Sequence, residues 1–401
     1  MASNLSAFRQ KNDDENKWYG DTVASSKEPH CLRMTFHNVR GLPLRGAQGL
    51  EMFLHEQETL QIDIQAFSEH CLDTTKYHVN MTAKEILRTT YSGPSMIHLT
   101  SSQEPAVNQY KPGGTGLLLL GQVTSRLDPN GRGGDAMGRW SHVHLRRKNL
   151  PPVTVISVYQ VCPRPTNPIG NTAYHQQQRA LNIANRALSP RQAFIQDLDH
   201  FLNTLRNQGH DIILGGDFNE SLEDKHSGIL SLMTSHRLSD PFLHRYPYHS
   251  NFGTHIHGKR RIDYVFVTER ILSSVTAIGY GPFDFISSSD HRPIFLELNS
   301  NVLFGTTHIN LQQPSTRGVK TSDPIMVRRF VEITYQQLQR SQVFAYQSAL
   351  DDDSATPEIA ELVDSLLGRC EDAAEQKCQR RRPEFYSRTI VQQRIEVAIL
   401  K

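Results

Sequence analysis

The 401-residue sequence lacks several features that would place a protein in a particular class. No run of about 18 apolar residues occurs, so no membrane-spanning helix is predicted, and the N-terminal stretch MASNLSAFRQKNDDENKWYG has no apolar segment of the kind that signal peptides contain. Charge of one sign is not in excess either, because 43 Lys and Arg residues stand against 41 Asp and Glu residues. This balance excludes a uniformly basic coat for nucleic acid but leaves room for a local basic cleft.

Cysteine is scarce and irregularly spaced. An odd number without a pattern argues against a disulfide scaffold and favours a reducing, intracellular compartment. His70 and Cys71 are the only close pair, and no CxxC motif follows them, which argues against zinc. The five cysteines are Cys31, Cys71, Cys162, Cys370 and Cys378.

Composition and periodicity divide the chain into four segments. Residues 1–30 are polar and predict a flexible leader. Residues 31–301 alternate short apolar runs with helix-like stretches, which indicates one layered α/β domain. Residues 302–322 are rich in Gly, Pro, Ser and Thr and predict a linker, and residues 323–401 have the looser apolar spacing of helices.

One helix is especially well defined by its signals. Ser189 and Gln192 have the spacing of a capping box, Pro190 occupies the first helical position, and Gly209 supplies a stop. The apolar residues between these signals share one helical face, which we expect to be buried. They are Phe194, Leu198, Phe201, Leu202 and Leu205.

Polar side chains interrupt or end six strand-like segments. In an open α/β architecture ligands gather where strands end, so we expect these side chains to meet at one edge. Converging carboxylates would repel one another, and a divalent cation with oxygen ligands, Mg²⁺ or Mn²⁺, relieves that repulsion. The residues are Asn38, Glu69, Tyr159, Asp217, Asn219, Asp263, Asp290 and His291.

The segment GGDFN brings two of these side chains close together. If the strand continues through it, alternation places Asp217 and Asn219 on one side and Phe218 on the other. Gly215 and Gly216 allow a neighbouring backbone or a ligand to approach closely. An Asx-rich turn after a buried strand explains the same residues without a function, and the sequence leaves both readings open.

His291 needs a carboxylate to fix its tautomer. Asp290 is adjacent in sequence, so along a strand the two side chains point to opposite sides. Asp263, in the segment RIDY, is the natural partner instead.

Together these segments resemble the endonuclease/exonuclease/phosphatase superfamily, whose fold is DNase I-like. The resemblance covers about two thirds of the chain, in the order and at the approximate spacing of the family. It implies a four-layer α/β sandwich of two mixed β-sheets flanked by helices, here followed by the helical C-terminal segment. The matching segments are His37–Leu42, Phe67–His70, Ser157–Gln160, Gly215–Glu220, Arg261–Phe266 and Ser288–Ile294.

The resemblance also implies a metal site. Glu69 would be the main carboxylate for Mg²⁺, with Asn38 and Asp290 as further ligands or orienting groups. In repair-type relatives an acidic residue follows the first Asn by two positions, whereas this chain has Arg40 there. That departure casts doubt on the details of ligation and on abasic-site repair.

Catalytic roles follow from the same resemblance. Asp217 would orient the attacking water or share its proton, while Asn219 and Tyr159 would donate hydrogen bonds to the scissile phosphate. His291, held by Asp263, would contact that phosphate or act as general base. Metal, amide, phenol and imidazole together can stabilise the charge that develops during phosphodiester hydrolysis.

The segment His249–Arg261, here called the basic loop, precedes the strand of Asp263. In the family, loops at this place reach into DNA, so its polar residues are candidate phosphate contacts. A solvated polar loop without a function explains it equally well. The candidates are Thr254, Lys259, Arg260 and Arg261.

The branch of the superfamily is indicated by the stretch from Ser157 to Leu198. SVYQVCPRP, the Gln-rich Tyr174–Gln178 and SPRQAFIQDL look like endonuclease domains of non-LTR retrotransposons. The leading hypothesis is therefore a Mg²⁺-dependent endonuclease that nicks double-stranded DNA, in the nucleus if it is the product of a retroelement. The alternatives are another phosphodiesterase of the superfamily, acting on RNA or lipid, and a non-catalytic binding relic. No membrane association is predicted, and the sequence does not indicate whether the chain has protein partners.

Overall fold

The computed structural model of the chain describes residues 15–24, 26–46, 48–105, 111–163, 170–248, 252–283, 285–286, 289–305, 323–341, 343–350 and 357–378. Contacts divide the chain into two compact units, Met1–Leu311 and Gln312–Lys401. Every strand in the described residues belongs to the first unit, and the described part of the second is helical.

The strands follow one another along the chain as β1 (Tyr19–Gly20), β2 (Cys31–Asn38), β3 (Ile64–Ser68), β4 (Ser95–Thr100), β5 (Thr115–Leu120), β6 (Leu127–Gly134), β7 (Trp140–Leu145), β8 (Val153–Tyr159), β9 (Asp211–Asp217), β10 (Leu238–Ser239), β11 (Asp263–Thr268), β12 (Val275–Tyr280) and β13 (Ile294–Asn299). The α-helices of the first unit are α1 (Leu50–Thr59), α2 (Tyr77–Thr90), α3 (Ala173–Ile183), α4 (Pro190–Asn207), α5 (Gly228–His236), α6 (Pro241–Arg245), α7 (Glu269–Leu272) and α8 (Ser300–Phe304). The second unit contains α9 (Pro324–Arg340), α10 (Val343–Leu350) and α11 (Pro357–Lys377).

Two mixed sheets organise the first unit. One has the strand order β1-β12-β13-β2-β3-β5-β4, and the other has the order β10-β11-β9-β8-β7-β6. β2 and β3 run parallel, as do β8 and β9, whereas β11 runs antiparallel to β9. These registers pair Tyr159 with Asp217, Asp217 with Asp263, and Asn38 with Ser68, the residue before Glu69. Backbone pairing therefore brings most of the predicted polar residues to the strand ends.

The main core fills the space between the two sheets. Met34 and Phe36 of β2 face Val155 of β8 and Ile213 of β9 in a cluster that is almost fully buried. Burying one such side chain contributes about 1.5–3 kcal/mol. A Cβ atom on Gly215 would lie 2.5 Å from the Phe36 ring, so the close approach of the sheets requires glycine there.

Helices cover both outer faces. Leu54 of α1 and Leu87 of α2 pack on the first sheet, and the apolar face of α4 packs on the second. The predicted start of α4 is confirmed, because Ser189 and Gln192 form a capping box with Pro190 in the first turn. The predicted four-layer sandwich is likewise confirmed, as is a helical C-terminal segment. Among the described residues, each helix is too short or too polar to cross a bilayer.

Two predicted boundaries need correction. Residues 1–14 of the predicted leader lie outside the described residues, but Tyr19 pairs with Tyr280 and Trp18 packs against Phe295, so the later part of the leader belongs to the first sheet. The predicted linker begins at Val302, yet Phe304 is buried in the main core at the end of α8. Most of that linker, residues 306–322, lies outside the described residues.

Candidate active site

Glu69 follows β3 and adopts a left-handed backbone conformation, with φ of 55°. This conformation is uncommon for residues other than glycine and often occurs at functional sites. Its carboxylate accepts a hydrogen bond from Asn38 Nδ2 at 3.0 Å and another from the Tyr159 hydroxyl. Burial, followed by the charges of Glu69 and Asp217, raises the pKa of Tyr159 well above its usual value, so the phenol stays protonated.

Asn38, at the end of β2, joins the two sheets. Its Nδ2 donates to Glu69 Oε2 and, at 2.9 Å, to Asp217 Oδ2, while its Oδ1 accepts from the Arg40 amide at 3.0 Å. Every polar atom of the side chain is thereby occupied. In this arrangement Asn38 orients two carboxylates, which is one of the two roles predicted for it, and its role as a direct metal ligand stays a prediction.

Asp217 and Asn219 lie together, but not for the reason expected from strand alternation. β9 ends at Asp217, and Asn219 has a left-handed φ of 46°. The Asn219 backbone amide donates to Asp217 Oδ1 at 2.9 Å, and its Nδ2 donates to Asp217 Oδ2 at 2.9 Å and to the Gln160 carbonyl at 2.8 Å. The Asx turn left open by the sequence is therefore present, and it holds the carboxylate in place.

These contacts use the hydrogen-bond donors of two residues predicted to contact the phosphate, whose role at the phosphate stays a prediction. Both side-chain donor positions of Asn219 serve protein oxygens, and the single proton of Tyr159 goes to Glu69. As placed, Asn219 positions Asp217 and Tyr159 positions Glu69.

His291 lies three residues before the start of β13, with its ring between two carboxylates. Nδ1 lies 3.0 and 3.1 Å from the two oxygens of Asp263, the partner expected from the sequence. Nε2 lies 3.9 Å from Asp217 Oδ2, beyond hydrogen-bond distance, and has no other hydrogen-bond partner within the described residues. The ring is 5% exposed and Asp263 is 3% exposed, so water screens this pair weakly. Nε2 is therefore the hydrogen-bonding atom of the ring that remains available to a substrate.

Burial and nearby charges shift the pKa values of Asp217 and His291. Burial raises the pKa of Asp217 to about 8, and Asp263 and Glu69 act in the same direction against the opposing charge of His291. Burial alone would lower the pKa of His291, but the carboxylates of Asp263 and Asp217 outweigh it and raise the pKa to about 10. The two groups titrate as a pair that holds a proton at neutral pH.

Backbone contacts that the sequence did not predict fix His291 further. The Ser289 hydroxyl donates to the Asn38 carbonyl at 2.6 Å and accepts from the His291 amide at 3.1 Å. His37 Nε2 lies 3.1 Å from the His291 carbonyl oxygen, and burial lowers the pKa of His37 to about 4, which keeps that ring neutral. No sequence signal singled out these residues, although Ser289 and His37 both lie within the family-like motifs.

Asp290 faces a different set of groups. Arg40 Nε lies 3.3 Å from Asp290 Oδ2, and His255 Nε2 lies 3.7 Å from the same oxygen. The His255 ring, together with His291 and Arg40, lowers the pKa of Asp290 to about 2. Two of the three predicted metal ligands, Asn38 and Glu69, are hydrogen-bonded to each other, but within the described residues no hydrogen bond joins Asp290 to either of them.

The basic loop, of which residues 252–261 are described, departs most from prediction. Thr254 is fully buried, and its hydroxyl accepts from the amides of Ile262 and Asp263. Arg261 is buried too, and it pairs with Asp240 at 2.8 Å among the rings of four aromatic residues. Neither can reach a phosphate, so both predictions of substrate contact are corrected. Arg260 pairs with Asp224 at the surface, and Lys259 is exposed.

A divalent cation suits this donor set. Glu69, Asp217 and Asp263 lie in one continuous chain of contacts that contains a single imidazole, so their negative charge exceeds the positive charge that His291 can supply. Among the described residues, Glu69 receives two neutral hydrogen bonds but no ion pair. Mg²⁺ prefers oxygen ligands, and these carboxylates lack a compensating cation, so they are suited to bind it. These seven residues, here called the strand-end cluster, are Asn38, Glu69, Tyr159, Asp217, Asn219, Asp263 and His291.

Among the similar solved structures, an AP endonuclease has a TM-score above 0.5 and agrees with this fold. An AP endonuclease from Leishmania major is 17% identical, with a TM-score of 0.52 over 74% of this chain and 98% of that one. A 3′ phosphatase from Neisseria, solved with a product DNA hairpin, is 16% identical with a TM-score of 0.45 over 67% of this chain and 99% of that one. The endonuclease domain of a telomere-specific non-LTR retrotransposon is 15% identical with a TM-score of 0.41, over 67% and 98% of the two chains.

A family model gives the sharper result. No curated protein matches the chain. The model of the Endonuclease/Exonuclease/phosphatase family, in contrast, matches residues 80–291, a segment that ends at His291 and includes Tyr159, Asp217 and Asp263. The chain therefore belongs to the endonuclease/exonuclease/phosphatase family of hydrolytic, typically metal-dependent nucleases and phosphatases.

Proposed function

We propose that this enzyme is a Mg²⁺-dependent endonuclease that hydrolyses a phosphodiester bond in one strand of double-stranded DNA. The observation that carries the proposal is one path of contacts. It runs from Glu69 through Asn38 to Asp217, and from Asp217 across 3.9 Å to His291. A carboxylate suited to a cation and an imidazole with a free nitrogen are therefore linked through Asn38 and Asp217.

His291 is the proposed phosphate contact. Hydrolysis increases the negative charge on the phosphate oxygens, and a fixed donor in a poorly screened site stabilises that charge most. Asp263 holds Nδ1, so Nε2 keeps a fixed direction and needs no reorganisation when substrate binds. Asp263 is accordingly a positioning residue in the proposed mechanism.

Asp217 is the proposed site of water activation. Three hydrogen bonds from Asn38 and Asn219 fix both of its oxygens, so the carboxylate can hold a water molecule in one orientation. The ionised carboxylate of Asp217 accepts the proton of that water, while His291 Nε2, 3.9 Å away, donates to the phosphate.

Glu69 and Asp290 would hold the metal, with Asn38 and Tyr159 orienting the Glu69 carboxylate. When bound there, Mg²⁺ supplies positive charge to the phosphate and to the leaving oxygen. Within the described residues, no Lys or Arg side chain contacts Glu69 or Asp217, so no side-chain cation takes the position proposed for Mg²⁺.

A non-LTR-retrotransposon-like origin is the finer part of the proposal. It rests on the sequence resemblance of SVYQVCPRP, Tyr174–Gln178 and SPRQAFIQDL, of which residues 164 and 165 lie outside the described residues. An element of this kind acts on chromosomal DNA, so the proposal places the enzyme in the nucleus.

The test compares three substrates under two metal conditions. Supercoiled plasmid, polyadenylate RNA and a phospholipid head-group substrate are each incubated with the full chain in Mg²⁺ or in EDTA. The expected result is conversion of plasmid to the nicked circle in Mg²⁺ alone. Asp217→Ala and His291→Ala should each abolish nicking, because each removes one side of the shared site.

His200→Ala is the matched control, since it removes an exposed imidazole from α4 in the outer helical layer. It should nick at the wild-type rate. Cleavage of RNA or lipid without plasmid nicking would overturn the DNA assignment in favour of another phosphodiesterase. If all three substrates stay intact with folded protein, the chain is a binding relic.

A further inference from the structure

A second group of metal-ligating side chains lies beside the strand-end cluster. His255 of the basic loop, Asp290 and His291 each offer one ligand atom, and these atoms all lie within 4.8 Å of one another. His255 Nε2 and Asp290 Oδ2 are 3.7 Å apart. Three ligands around a zinc ion at about 2.0–2.1 Å lie about 3.3 Å from each other, so small side-chain rotations would close the set.

The backbone holds these three residues next to one another. His255 and His291 form an antiparallel bridge, the Ile256 amide donates to the Asp290 carbonyl, and the Arg292 amide donates to the Thr254 carbonyl, both at 2.8 Å. The two imidazole rings meet edge to face, with centroids 4.9 Å apart. The ligands therefore need no chain movement to meet.

The chemistry of this group differs from that of the carboxylate-rich part of the site. Two imidazole nitrogens and one carboxylate are the donor set of zinc sites with an open fourth position, whereas Mg²⁺ prefers oxygen ligands. Asp263 already holds His291 Nδ1, which is the arrangement that orients a histidine ligand and raises its basicity. The cysteine pattern of the sequence carried no information on a site of this kind.

We propose that His255, Asp290 and His291 bind one transition-metal ion of the Zn²⁺ class, and that the bound ion blocks the catalytic imidazole. Ligation uses His291 Nε2, the atom that would otherwise reach a phosphate. Binding releases the Nε2 proton of His291 to solvent, because only the neutral imidazole ligates a metal. It also requires the proton of His255 to move to Nδ1, with loss of the 3.2 Å hydrogen bond from the His257 amide, at a cost of about 1 kcal/mol. Arg40, which is 67% exposed, can turn away from Asp290 into solvent.

The binding part of this proposal stands alone, whereas inhibition rests on the proposed function. Asp290 is also a proposed Mg²⁺ ligand, so the two ions compete for one carboxylate. His255 belongs only to the transition-metal group, and its substitution separates the two sites.

The first experiment measures binding without any substrate. The metal-free full chain is titrated with Zn²⁺ against a chromogenic chelator in excess Mg²⁺, and with Co²⁺ for the visible absorption of a four-coordinate site. Wild type should bind one equivalent. Asp263→Asn, which removes only a group that orients a ligand, should lower the Zn²⁺ affinity by about 10–100-fold. His255→Gln removes a ligand itself, so its affinity should fall by more than about 100-fold.

Two comparisons make this result decisive. His257→Gln, which alters an exposed histidine two residues away in the same loop, should bind as wild type. Asp290→Asn should lose binding as His255→Gln does. Unchanged Zn²⁺ affinity in His255→Gln would overturn the proposal. Loss of binding in Asp217→Asn alone would also overturn it, because the ion would then lie between Asp217, Asp263 and His291.

The second experiment compares nicking rates with and without Zn²⁺ for each protein. At a Zn²⁺ concentration of about ten times the dissociation constant, the wild-type rate should fall about tenfold. The rate of His255→Gln should barely change at that concentration. If the chain nicks no DNA, the chelator and Co²⁺ measurements still decide whether the ion binds.

Discussion

The strand-end cluster and the basic loop were both predicted to carry function, yet the structure treats their polar residues in opposite ways. In the strand-end cluster, polar side chains point towards one another across 3–4 Å. In the loop, Thr254 and Arg261 are buried and make contacts within the protein. Of the four predicted phosphate contacts in this loop, Lys259 and Arg260 remain at the surface.

Backbone register explains the difference. The backbone pairs Tyr159 with Asp217, and Asp217 with Asp263. This register fixes where each strand ends and therefore the positions of the Cα atoms that carry these side chains. The loop has only a single bridge, at His255, so register does not fix Arg261, and the direction of that side chain follows from where its charge finds a partner. Arg261 finds Asp240 and a set of aromatic rings whose faces attract a cation.

Among the variants that test this comparison, Asp263→Asn is expected to have the largest effect, on the nicking rate. His291 would lose the carboxylate that orients it, and the nicking rate should fall by about 10²–10⁴-fold, the usual contribution of a positioned acid–base group. Single-turnover nicking at saturating DNA measures the loss. Asp199→Asn is the matched control, because it alters another His–Asp pair, with His236 at 2.8 Å, outside the site. Equal rates for both variants would contradict the proposed role of Asp263.

Arg261→Met should act on stability instead. It leaves the buried Asp240 carboxylate without its partner, which costs about 3–5 kcal/mol of unfolding free energy. Urea unfolding measures this change, and DNA affinity of the folded variant should stay at the wild-type level. A stable variant with weakened DNA binding would return Arg261 to the substrate contacts first predicted.

Thr254→Val should have a smaller effect on both properties. Its hydroxyl accepts from the amides of Ile262 and Asp263, and two buried donors without a partner cost about 1–3 kcal/mol. Because the Asp263 backbone would shift, nicking should fall as well. Thr254→Ser keeps the hydroxyl and should restore both, measured by urea unfolding and by nicking rate; failure of this rescue would show that the methyl group matters instead.

Lys259→Ala should have the smallest effect. If this exposed side chain contacts a phosphate, the slope of log affinity against log salt should fall by about 1, with little change in rate. Lys84→Ala, an exposed lysine on α2, provides the control. An unchanged slope for Lys259→Ala would leave the loop as the solvated segment that the sequence equally allowed.

The sequence predicted the layers of the fold and the membership of the strand-end cluster, because both follow from local signals. Apolar runs and the capping box at Ser189 are visible without the structure. Polar residues that interrupt such runs, as Asp217 does, stand out in the same way.

Individual hydrogen-bond assignments could not be predicted in this way. Whether the Asn219 amide faces a phosphate or Asp217 depends on a left-handed turn, and whether Tyr159 donates to Glu69 depends on how two sheets approach. Residue spacing carries no information about either geometry, so the sequence could bring these residues together but could not predict their hydrogen-bond partners.

The most direct test of the central claim is the Mg²⁺ dependence of nicking in wild type and in Glu69→Gln. Glutamine keeps the size of the side chain and can still accept a hydrogen bond, but it removes the charge proposed to hold the cation. The account predicts that half-maximal nicking requires much more Mg²⁺ in Glu69→Gln. Identical Mg²⁺ curves for the two proteins would contradict it.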